Sequence, residues 1–79
     1  MRKLTNEDIQ KNSVDTINQY KVLQYLKKNL NIYEFNIYLY DASTIKVVDK
    51  KEDTLLFKFE NNKVEYFELD LEIEQELEI

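Results

Sequence analysis

The patterning of this chain predicts an α+β fold, with helices first and an antiparallel sheet after them. Three observations carry that expectation. Up to Leu30 the apolar residues recur at every third or fourth position, from Ile32 they recur at every second, and Asn61-Asn62 interrupts the second pattern with a turn dipeptide. The expected architecture is one or two N-terminal helices packed on a three- or four-stranded antiparallel β-meander with an acidic C-terminal strand.

Thr5 precedes the first helix, about 6–12, as an N-cap, with Asp8 at the third helical position and Leu4 and Ile9 placed as a hydrophobic staple. Ser13 is a second capping candidate. After it, Ile17, Tyr20, Leu23, Leu26 and Leu30 mark one face of a helix over about 14–29, separate from the first or continuous with it. Lys27 and Lys28 suit its C-terminal dipole, and Asn29 or Asn31 stands in for the missing glycine of a left-handed cap.

From Ile32, Tyr33, Phe35, Ile37 and Leu39 face one way, and Glu34, Asn36, Tyr38 and Tyr40 the other, as in a half-buried strand. Residues 41–44 have turn chemistry, Ile45 to Val48 form a second strand and residues 50–53 a charged loop. Leu55, Phe57 and Phe59 alternate with Leu56, Lys58 and Glu60 in a third strand. Asn61-Asn62 is a two-residue hairpin turn, because asparagine tolerates positive φ. In the fourth strand the apolar phase passes from Val64 and Tyr66 to the odd residues from Phe67 onward, which predicts a bulge near Tyr66-Phe67.

Seventy-nine residues make one domain, 1–79, helical over 6–29 and sheet over 32–74, with 75–79 extending as a tail. A domain this small buries only about 60% of its unfolded surface, so self-association would help it. Without cysteine or histidine the chain has no disulfides, thiolate or imidazole metal ligands, or imidazole acid-base chemistry. Without glycine it cannot build the usual phosphate-binding loops. Asp49, Glu52 and Asp53 match no calcium loop and read as a solvated turn. No catalytic residues, metal or cofactor are therefore expected.

Met1-Arg2-Lys3 leads into polar residues with no apolar run, and no window approaches the roughly 18 apolar residues of a membrane span, so a cytoplasmic protein is expected. Lysine outnumbers arginine ten to one and asparagine and isoleucine are abundant, a bias of AT-rich codons that fits a low-GC bacterium or its viruses and mobile elements.

Charge is the most informative feature. Residues 1–40 carry six basic and four acidic side chains, residues 41–79 five and twelve. From Glu68 an acid occupies every even position: Glu68, Asp70, Glu72, Glu74, Glu76 and Glu78. Leu69, Leu71, Ile73, Leu77 and Ile79 fill odd ones, and Gln75 breaks the apolar series. In a strand these carboxylates share one face at intervals of about 6.8 Å, comparable to the spacing of phosphates. Neighbours repel by about 0.6 kcal/mol even in water, a cost that a basic partner would offset. An edge strand guarded by charge is the plainer reading. A helix over 68–79 would align Leu69, Ile73 and Leu77 but scatter the acids.

Tyr38, Tyr40, Val48 and Leu56 form a second candidate surface, a dimer or partner patch on the sheet face away from the helices, together with Lys46 and Lys58. Tyr20, Tyr25 and Tyr33 are expected at the core margin. Single-stranded RNA stacking on Tyr38 and Tyr40 is disfavoured by the net charge of −5.

In size, charge, lack of catalytic residues, and helices followed by an acidic antiparallel sheet, the chain resembles the small DNA-mimic inhibitors of bacteriophages, including uracil-DNA glycosylase inhibitors and some anti-CRISPR proteins. The resemblance is one of character over the whole chain, without a shared motif. It implies a non-enzymatic inhibitor that presents its acids to the basic nucleic-acid-binding surface of a host protein and does not itself bind nucleic acid or membrane. The alternative is an interaction module, antitoxin-like or homodimeric, whose C-terminal strand pairs with a partner's sheet edge.

Overall fold

The computed structural model describes residues 1–69. The expectations for Asp70, Glu72, Glu74, Glu76 and Glu78, and for a tail at 75–79, lie outside the described residues. In chain order the elements are β1 (Arg2–Leu4), α1 (Asn6–Lys11), α2 (Ile17–Asn29), a 3-10 turn (Ile32–Glu34), β2 (Asn36–Asp41), β3 (Thr44–Val48), β4 (Thr54–Glu60) and β5 (Lys63–Leu69). The strands form one antiparallel sheet in the order β1-β2-β3-β4-β5, with the two helices packed on one face. The α+β class is as the sequence predicts, with one more strand than expected. β1 is too short for alternation to reveal: only Leu4 is buried, and it pairs with Ile37.

The α1 capping box forms as expected: the Asp8 amide donates to Thr5 Oγ1 at 3.0 Å and the Thr5 amide to Asp8 Oδ2 at 2.9 Å. Asn12, at φ 56°, then closes the helix in the left-handed region. α2 starts at Ile17, later than the expected residue 14, because Thr16 and not Ser13 caps it: the Gln19 amide donates to Thr16 Oγ1, and Gln19 Oε1 accepts from the Thr16 and Asp15 amides. The cap is anchored by the sheet. Thr16 Oγ1 donates to the Ala42 carbonyl, Asn18 Nδ2 to Ser43 Oγ and Gln19 Nε2 to the Asp41 carbonyl, so the β2–β3 turn holds the start of the helix.

That anchoring rotates the buried face of α2. Gln19, Val22, Leu23 and Leu26 point inward, whereas Ile17 is 75% exposed and Tyr20 46%. Leu30 ends the helix in an extended conformation, so the left-handed asparagine cap expected at Asn29 or Asn31 does not form. β2 begins at Asn36; the preceding Ile32 turns into the core from the 3-10 turn, which leaves Tyr33 exposed. Ile9, Val22, Leu23, Leu26, Ile37, Leu39, Ile45, Val47 and Phe57 form the centre of the core.

The hairpin turn is where the sequence predicts it, with Asn61 at φ 54° and Asn62 at φ 62°. The bulge is not. β4 and β5 stay in unbroken register from Glu60↔Lys63 to Thr54↔Leu69, and the register shift in the sheet falls instead between Leu39 and Asp41. The change of apolar phase in β5 is met by a change of face, without an inserted residue.

Candidate functional site

Directly paired residues of an antiparallel sheet share a face, so the register assigns every side chain to one side. Leu39, Ile45, Phe57 and Tyr66 form a row on the helix side; Lys3, Tyr38, Lys46, Leu56 and Phe67 form a row on the open side. Tyr38, Leu56 and Val48 therefore occupy the open face as the sequence predicts, all partly exposed, and Lys46 Nζ lies 5.4 Å from the Tyr38 ring centre. Tyr40 separates from them. It falls in the register shift and lines a shallow hollow with Met1, Arg2, Asp15 and Thr16.

Phe67 joins the patch, a member that the strand alternation read from sequence did not include. It stands opposite Leu56 and is 49% exposed. The phase change at Tyr66-Phe67 was the signal for it, since a strand in unbroken register must carry its later apolar residues to the other face.

Glu68, the one member of the acidic series among the described residues, is exposed and stands opposite Leu55, on the helix side. α2 lies mainly over β3 and β4 and touches β5 less, and the Glu68 side chain meets water there. Tyr66, on the same side, flanks the Phe57 ring at 5.7 Å and remains 64% exposed.

Among the described residues β5 is also a free edge. The two-residue turn makes Glu60 and Lys63 the hydrogen-bonded closing pair, so the backbones of Lys63, Glu65 and Phe67 bond to β4. Those of Val64, Tyr66 and Glu68 turn their N–H and C=O groups away from the sheet. β1, at the opposite edge, offers only three residues.

Two carboxyl groups are held below their ordinary range. For Asp8 the chief cause is the hydrogen bond from the Thr5 backbone amide, with Arg2 and Lys11 contributing. For Asp41 burial pushes upward, but hydrogen bonds from Ser43 and Thr44 and the charge of Lys58 outweigh it. Both are structural, in a helix cap and a turn. In the 49–53 loop Asp49 Oδ1 accepts from the Lys51 and Asp53 amides, the geometry of a turn, and among the described residues no group of three acids could hold a metal ion.

The charge divides sharply. The first 69 residues carry eleven basic and eleven acidic side chains, so the whole net charge of −5 resides in residues 70–79. No described helix is long and apolar enough to cross a membrane. The chain matches no family model, no curated protein and no solved structure.

Proposed function

We propose that this chain is a small acidic non-enzymatic inhibitor, encoded by a phage or mobile element and acting in the bacterial host cytoplasm. Its target is a host protein with a basic nucleic-acid-binding surface, which it occupies as a DNA mimic. One observation carries the reading: a neutral fold of 69 residues is followed directly, from the strand at the edge of the described sheet, by alternating acids that hold all the excess charge. Phosphate-like charge on a mount of no net charge directs a basic partner to the C-terminal segment.

Competition with DNA tests it. The chain should displace DNA from such a target, and less so as salt rises, since contacts of this kind depend on counterion release. Replacing Glu72, Glu74 and Glu76 by glutamine should abolish displacement; an unchanged effect refutes the reading.

The outward backbone of Val64, Tyr66 and Glu68 favours a second reading, an interaction module whose C-terminal strand extends a partner's sheet. Such a complex should survive salt that dissolves a charge-driven one.

A further inference from the structure

β5 carries a large exposed aromatic residue on each of its faces, Tyr66 on the helix side and Phe67 on the open side. A partner laid on either face of the sheet covers one and leaves the other in water. A strand added in the plane of the sheet flanks both. We propose that this strand is β5 of a second copy, paired antiparallel about a two-fold axis through Tyr66, so that two five-stranded sheets become one.

The axis follows from charge and backbone together. A two-fold perpendicular to the sheet keeps each face on its own side, so residues of the same face meet across it. Centred on Tyr66, the pairing sets Lys63 opposite Leu69, Val64 opposite Glu68, Glu65 opposite Phe67 and Tyr66 opposite its copy. The whole of β5 is used and no charge opposes a like charge. An axis at Glu65 or at Glu68 would set an acid directly against itself, which destabilises a pair. An axis at Val64 runs the aromatics against the Asn61-Asn62 turn, and one at Phe67 pairs, among the described residues, only Glu65 to Leu69.

The outward backbone groups select the same register. Tyr66 bonds to its copy and Val64 to Glu68, which gives a partner to each N–H and C=O that these residues turn to the free edge. Sheet extension also joins the two open-face rows and enlarges a domain whose own core is small. The dimer concerns the edge of the fold and stands independently of the DNA-mimic reading.

Sedimentation equilibrium and one introduced cysteine test it on the full chain, which has no cysteine of its own. Hydrogen-bonded residues opposite each other lie about 5.5 Å apart at Cα, within the range a disulfide spans. The wild type should sediment as a dimer, and Tyr66→Cys should cross-link in air while the exposed control Tyr40→Cys does not. Tyr66→Pro removes an outward N–H without touching the β4 ladder and should weaken the dimer at least about tenfold with the circular dichroism spectrum unchanged. If that variant unfolds, Tyr66→Lys, which opposes charge to itself at the axis, should give the same weakening. A wild type that stays monomeric at millimolar concentration overturns the proposal, as does a folded Tyr66→Pro or Tyr66→Lys that dimerises normally. Competition with DNA reads the inhibitor function separately, so either proposal can fail alone.

Discussion

Gln19 is 3% exposed, and its side chain bonds to both sides of the helix–sheet junction, accepting from Asp15 and Thr16 and donating to Asp41. Gln19→Leu keeps the volume but strips these partly buried backbone groups of their partner, at a cost of about 1–3 kcal/mol. Ile17→Ala, at a 75% exposed position, should stay within about 0.5 kcal/mol. Leu23→Ala, at a fully buried one, should cost about 2–5 kcal/mol. Urea unfolding of the three variants checks this order, which contradicts what apolar periodicity alone would assign to Ile17. Acid titration probes two further residues. Asp8 and Asp41 have lowered folded pKa values, so their contribution is complete above the unfolded value of 3.8 and is lost as pH falls through the depressed folded values. The variant Asp8→Asn/Asp41→Asn should therefore lose less stability than the wild type as pH drops below about 4, measured by thermal melts at successive pH.

At the scale of elements, α2 and the last hairpin depend on single polar residues. Thr16 caps the helix and donates to the Ala42 carbonyl, so Thr16→Ala removes a cap and a tertiary bond together. The expected loss is about 1–2 kcal/mol by chemical denaturation, whereas Ser13→Ala, at the residue the sequence suggests as cap, should be close to neutral. The hairpin needs positive φ at both turn residues. Asn62→Gly should hold or raise the melting temperature, and Asn62→Val should lower it, because a β-branched side chain clashes in the left-handed region. β5 shows how an element's surroundings change its reading. A phase change in sequence allows either a bulge or a change of face, and continuous pairing with β4 selects the second.

Across the whole molecule, a fold without net charge bears an acidic C-terminal segment. A chain ending at Leu69 keeps every described element and should retain a cooperative thermal unfolding transition and the edge dimer, while losing competition with DNA at a basic target. Size-exclusion chromatography and a displacement assay on the same preparation separate these outcomes. Displacement undiminished by the truncation would move the binding surface to the neutral fold, where the open-face row of Tyr38, Lys46, Leu56 and Phe67 is the next candidate.

By itself the sequence determined the class of fold, the order of the helices before the strands β2 to β5, the α1 capping box, the Asn61-Asn62 turn and the open-face placement of Tyr38, Val48 and Leu56. Each depends on periodicity or on a few neighbouring residues, and those are local quantities. Tertiary structure alone decided the rest. The start and rotation of α2 were set by the β2–β3 turn, whose carbonyls lie more than twenty residues away in sequence. β1 became a strand because β2 supplied its hydrogen bonds, and Phe67 reached the open face because β4 held β5 in register. In each case the deciding partner is a backbone group brought close only by folding, and apolar patterning carries no record of it.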